Sequence, residues 1–160
     1  EIAKGPAKFG KESLGLEIEE CDFLEWGKNR NEQFDLITLW ASIEHLHKPK
    51  ETLVKIHSHL KPKGRVIIST CRYGILAKFF GINWRYLNVP EHLYYYSMKG
   101  LVEMTERIGF SLVTKISYGS GMTSKKSAGI FFKAGKFLAD RLVKIFNQGD
   151  MMALSFEKKK

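Results

Sequence analysis

Cysteine is scarce: the 160-residue chain holds two, Cys21 and Cys71, and they make no metal-ligand spacing. Free thiols in a reducing compartment, the cytoplasm, are the expectation. No apolar run approaches the length of a membrane span, and the N-terminus lacks the charged-then-apolar pattern of a signal peptide. Internal repeats are absent, and tracts of Pro, Ser or Gly are too few for a disordered chain. What is present is 44% apolar residues, enough for one globular domain with one sizeable core.

Charge is one-sided. The formal net charge of +9 invites a nucleic-acid reading through counterion release. The excess is spread out, however, with local density only at Lys125 and Lys126, along a late helix, and at Lys158 to Lys160. A solvated basic surface is the expectation, with no nucleic-acid partner.

The elements alternate. "GLEIEECDFLEW" holds a brief strand around Leu16 to Glu19 followed by Asp22, and "GKNRNEQ" is a polar loop. Residues 34–46, "FDLITLWASIEHL", contain a short apolar run from Leu36 to Trp40, which reads as a strand covered on both faces of a parallel sheet. Glu44 and His45 fall just past its carboxyl end, where open α/β sheets bind their ligands. From Pro49 to Leu60, Leu53, Ile56 and Leu60 share a helical face with Pro49 suited to the first turn, and "KPKG" stops the helix. "RVIIST" completes a strand, helix, strand unit of parallel sense.

The stretch "RYGILAKFFGINWRYLNVPEHLYYYS" is too long and aromatic for an idle connection and reads as a lid or binding segment. Ser97 then caps a helix carrying Leu101, Met104 and Ile108 on one face, and Gly109 ends it. "FSLVTKISY" alternates as a strand, a loop "GSGMTSKKSAG" follows, and a long helix runs from about Ala128 to Phe146. That helix places Ile130, Ala134, Phe137, Leu138, Leu142 and Ile145 on its apolar face, and "MMALSF" is a last strand. The order is that of an α/β doubly wound domain.

The series "FDLITLWASIEHL", "LVKIHSHLKPKGRVIIST", "WRYLNVPEHLYYYS" and "LVEMTERIGF" resembles the class I S-adenosylmethionine-dependent methyltransferases, most of all the small-molecule group that includes the ubiquinone-biosynthesis O-methyltransferases. The resemblance implies a Rossmann-like sheet and S-adenosylmethionine as cofactor. It implies that Glu1 takes the cofactor ribose hydroxyls and that Asp22 accepts from the adenine amino group, with Cys21 and Phe23 beside the ring. Trp40 and Ala41 would lie under the methionine portion, and Glu44 and His45 would face the transferred methyl group or the acceptor. Carboxylates suit the first two roles, since each accepts several hydrogen bonds.

The family's glycine-rich turn after its first strand is missing, and Lys63 stands in "KPKG" where the family has glycine. In the family's sheet order 3-2-1-4-5-7-6, loss of strands 1 and 2 orphans the third strand and leaves "LITLW" as an exposed apolar edge. Residues 1–160 are therefore expected to be the C-terminal portion of a single methyltransferase domain, N-terminally truncated.

An imidazole titrates near neutral pH, so His45 is the candidate base for a hydroxyl acceptor, with Glu44 orienting it or binding metal or substrate. His92, in "PEHLYYY", is a second candidate, while Trp84 and Tyr94 to Tyr96 would wall an aromatic or lipid-like acceptor or pack a lid. "GPAKFGKES" nearly matches a phosphate-binding loop, but Glu12 replaces the hydroxyl and no strand precedes it. The pairs His45/His47 and His57/His59 offer no third ligand at metal spacing, so no metal site is expected.

The helix over 128–146 has a basic face with Lys133, Lys136, Arg141 and Lys144; it reads as a sheet-covering helix, with peripheral membrane contact as the other reading. The function expected is methyl transfer to a small molecule. The alternative is a non-catalytic basic module, derived from the same fold, that binds a membrane or partner.

Overall fold

A computed structural model describes residues 1–28, 30–122 and 129–159, so Lys125, Lys126, Ala128 and Lys160 lie outside the described residues. The chain forms two compact units, Glu1–Gln33 and Phe34–Lys160.

The first unit holds α1 (Lys4–Leu14) and α2 (Phe23–Trp26). Gly15 closes α1 in the left-handed region at φ 64°, donating to the Gly10 carbonyl. "GPAKFGKES" is the body of this helix, so its amides serve the helix and form no phosphate cradle. Gly10 is needed for close approach, because a Cβ there would sit 2.3 Å from Ile18 Cδ1. The strand expected at Leu16 to Glu19 does not form: the segment lies irregularly against α1 through Ile18. A strand needs a ladder, and none of the described strands pairs with it.

The second unit is built on a four-stranded sheet of β1 (Phe34–Trp40), β2 (Leu60–Cys71), β3 (Phe110–Tyr118) and β4 (Met151–Lys158), in the order β1-β2-β4-β3. β1 and β2 are parallel, and β4 runs antiparallel to both β2 and β3. α3 (Pro49–His59) connects the parallel pair, with Pro49 in its first turn. α4 (Ile75–Phe80), α5 (Met98–Ile108) and α6 (Ile130–Ile145) follow. Ser97 Oγ accepts from Gly100 N–H at 3.0 Å to cap α5, and Gly109 ends it at φ 114°. In the "KPKG" turn Lys63 itself adopts φ 66°, the conformation a glycine would take at less cost.

The larger part of the core lies on one face of the sheet. Register pairs Val66 with Phe156, Ile68 with Leu154 and Thr70 with Met152, all buried. Leu53 and Ile56 of α3 and Leu101 of α5 are buried in the same unit, and the two helices touch. His59 is buried, His57 packs edge-on against Phe110 at 5.0 Å, and His47 is exposed.

Two readings of burial are corrected. β1 is not covered on both faces: it is the edge strand, and Leu36 and Trp40 are 50% and 61% exposed. The apolar edge expected of a strand with one partner is therefore present. α6 lies against β3 but covers the sheet only shallowly, because none of its residues is buried. Its half-buried positions are Lys136, Ala139, Asp140 and Val143, and the stripe read as core-facing points the other way. Periodicity reports that a helix has two faces but not which of them meets protein. No helix among the described residues is long and apolar enough to cross a membrane.

Candidate active site

Because β1 and β2 are parallel, their carboxyl ends lie side by side, with Trp40 opposite Ser69. Ala41 leaves β1 at φ 44° while its N–H donates to the Ser69 carbonyl at 2.9 Å. A positive φ is uncommon for a residue with a Cβ and marks a sharp departure held by its surroundings. Ala41→Gly should raise stability by about 1 kcal/mol, read from the urea midpoint.

A one-turn 3₁₀ helix, Ile43–His45, follows, anchored by fully buried Ile43. It sets Glu44 inward, 2% exposed, and His45 outward.

Beyond β2 the segment Arg72 to Tyr96 folds on itself and returns through a parallel bridge between those two residues. Trp84 is buried in a cluster with Cys71 and Ala77, with Phe80, Tyr86, Tyr95 and Met151 packed around it. Trp84 therefore packs the core of the lid. Tyr94 and Tyr96 stack at 5.9 Å, and Tyr94 is exposed. The lid is latched to the 3₁₀ turn, since Leu93 and Tyr94 N–H both donate to the Glu44 carbonyl, at 2.8 and 3.2 Å.

That latch brings Glu44, His45 and His92 together. The two imidazoles meet edge-on with centroids 4.8 Å apart. One donor atom from each of the three residues lies within 4.8 Å of the others. His45 Nδ1 is 2.8 Å from the Glu91 carbonyl, and His92 Nδ1 is 2.9 Å from the Tyr86 carbonyl. A carbonyl oxygen can only accept, so each Nδ1 carries the proton and each neutral ring keeps its lone pair on Nε2. Glu44 Oε2 is shielded from solvent and has no hydrogen-bond partner among the described residues. The set can take a proton, receive a hydroxyl, or offer donors to a divalent cation, a trio that histidine spacing alone did not disclose.

Burial, and then the Glu44 carboxylate, push the Cys71 thiol up to about 11. Burial, Tyr94 and Glu44 likewise raise the Tyr96 phenol. With a thiol at about 11, roughly one Cys71 in a thousand is thiolate at pH 8. Iodoacetamide at that pH should label half-exposed Cys21 and leave Cys71 unmodified until the protein unfolds, as peptide mass spectrometry would read.

Sequence reasoning missed the pair Arg85 and Asp150. Asp150, fully buried before β4, lies with Oδ2 3.0 Å from Arg85 Nε and ties the lid to the sheet. Burial pushes its carboxyl up while Arg85 draws it back. At Gly149 beside it a Cβ would strike the Tyr118 backbone at 2.3 Å.

The residues expected to hold the cofactor divide between the units. In the first, Glu1 Oε1 accepts from Ala3 N–H at 2.8 Å and the Glu1 amino group donates to the Glu19 carbonyl at 2.9 Å. Asp22 Oδ1 caps α2 by accepting from Leu24 and Glu25 N–H, leaving Oδ2 outside both contacts, and Phe23 stacks on Trp26 at 5.6 Å. In the second, Trp40 and Ala41 end β1.

A family profile describing a methyltransferase domain matches residues 8–115. Similar solved structures include an S-adenosylmethionine-dependent methyltransferase from Archaeoglobus fulgidus, 18% identical over 99% of this chain and 74% of that one, with a TM-score of 0.69. A second such enzyme, from Clostridium acetobutylicum, is 14% identical over 100% and 74% of the two chains, with a TM-score of 0.61. The 1,6-didemethyltoxoflavin-N1-methyltransferase of Burkholderia thailandensis, holding 1,6-didemethyltoxoflavin and S-adenosylhomocysteine, is 14% identical over 98% and 57%, with a TM-score of 0.55. No curated protein sequence matches the chain. At these identities the structural likeness carries the fold, an open Rossmann-like α/β sheet.

Proposed function

This chain belongs to the methyltransferase-domain family and is an S-adenosylmethionine-dependent methyltransferase, and we propose that it methylates a hydroxyl of a small aromatic or lipid-like molecule with His45 as the base. The observation that carries the proposal is the bare Nε2 of an exposed imidazole whose Nδ1 is held by the Glu91 carbonyl. When bound, S-adenosylmethionine supplies an activated methyl group. His45 Nε2 would take the acceptor's O–H proton, freeing the oxygen's electron pair for the methyl group that the bound cofactor would supply. Glu44 receives the acceptor or steadies the charged imidazole, and His92 fills the same recess beside His45.

For the cofactor, the resemblance supports Glu1 for the ribose hydroxyls, Asp22 and Phe23 for the adenine, and Trp40 with Ala41 for the methionine portion. We place the reaction in the cytoplasm, a reading supported by the two unpaired thiols.

Incubation with methyl-tritiated S-adenosylmethionine and two acceptor sets, phenols and primary amines, tests the reaction class. Label should pass to phenols; transfer to amines alone would sink the hydroxyl reading. A second reading is favoured by the convergence of three donors: Glu44, His45 and His92 would hold a divalent cation that polarises the hydroxyl. Loss of turnover on chelation, with recovery on adding magnesium, would select it.

A further inference from the structure

We propose that α6 is a membrane-docking helix that seats its outward face in the interface of an anionic bilayer. The inference stands apart from methyl transfer. Ile130, Phe131, Phe137, Leu138, Leu142 and Ile145 form the side of α6 opposite its half-buried line, and Phe131 and Ile145 are 91% and 73% exposed. An apolar stripe of this length turned to water is a surface that awaits cover.

Charge selects the cover. Lys133 and Lys144 flank the stripe, and Arg141 projects from it with its guanidinium 5.5 Å above the Phe137 ring. The helix has one acid, Asp140, and it is turned inward, where it accepts from Ser120 N–H at 2.9 Å and pairs with Lys136. The outer face is thus apolar with cations only. That combination suits acyl chains under anionic headgroups and disfavours a second copy, which would set like charges together.

A second observation widens the surface. The Phe80 ring lies against Gly121, where a Cβ would come within 2.8 Å, while Ser120 is held by Asp140 of α6. The turn over residues 119–121 therefore joins α4 of the lid to α6. On α4 and just after it, Phe79 and Ile82 are 80% and 87% exposed, and Lys78 of the same helix is exposed as well. Lid and helix each expose apolar side chains on elements joined by this turn, so a bilayer docked across both would meet the lid of the candidate site.

The test is co-sedimentation of the full chain with sucrose-loaded vesicles, either phosphatidylcholine alone or an equal mixture with phosphatidylglycerol. Binding should require the anionic lipid, weaken with added salt, and fall about tenfold or more in Phe131→Ser/Ile145→Ser and in Lys133→Glu/Lys144→Glu. Both double variants change exposed side chains and should melt as the parent does. Equal binding to the two vesicle types, no binding, or binding indifferent to both variants would overturn the proposal. So would a vesicle-independent dimer that Phe131→Ser/Ile145→Ser dissolves.

Discussion

His45→Ala should lower kcat by about 10²–10⁴-fold while leaving affinity for S-adenosylhomocysteine within about twofold. The ring is exposed, hydrogen-bonded to the Glu91 carbonyl and edge-on to His92, so its loss removes neither core packing nor a buried charge. The fold should survive, with the melting temperature shifted by no more than a couple of degrees. Removing a base that acts in the transition state lowers kcat without a matching change in binding. Equal losses in rate and cofactor affinity would assign His45 to holding the recess together. An unchanged rate would remove it from the chemistry.

Phe156→Ala should cost about 3–5 kcal/mol of folding stability, a large share of the roughly 5–15 kcal/mol that a domain possesses. Phe156 is fully buried on β4, between Val66 of β2 and Leu112 of β3 in register, so no surface rearrangement can fill its volume. Urea unfolding followed by circular dichroism should show the midpoint falling with the slope unchanged. Val113→Ala at the bulge in β3, where the side chain is 45% exposed, is the contrast and should cost less than about 1 kcal/mol. Equal costs at the two positions would contradict the placement of the core.

Most elements of the second unit were legible because they carry their own local signals, whereas α4 lay inside the stretch read as a lid. Pro49 opens α3, Ser97 and Gly109 bracket α5, and "RVIIST" and "MMALSF" are apolar runs of strand length. Sidedness was not legible. Leu36 to Trp40 reads as a buried strand, but burial depends on how many neighbours a strand acquires, and β1 acquires one. The stripe on α6 reads as core for the same reason: a hydrophobic period does not name its partner. At Leu16 to Glu19 the local pattern suggested a strand, and the absence of a ladder decided otherwise.

The candidate site was legible in part. Glu44 and His45 stood out by following a strand end, and His92 by its company of tyrosines 47 residues later. Their meeting depends on the Glu44 carbonyl accepting from Leu93 and Tyr94, a main-chain contact that no side-chain pattern announces. Arg85 and Asp150 were invisible for a related reason, since an ion pair spanning 65 positions has no local signature.

Calorimetric titration of S-adenosylhomocysteine into the full chain, with a melting curve beside it, is the most direct test of the central claim. The account predicts saturable binding and a melting temperature that climbs with ligand concentration, both weakened by Asp22→Ala. A chain that melts cooperatively yet takes up no S-adenosylhomocysteine at millimolar concentration would contradict it.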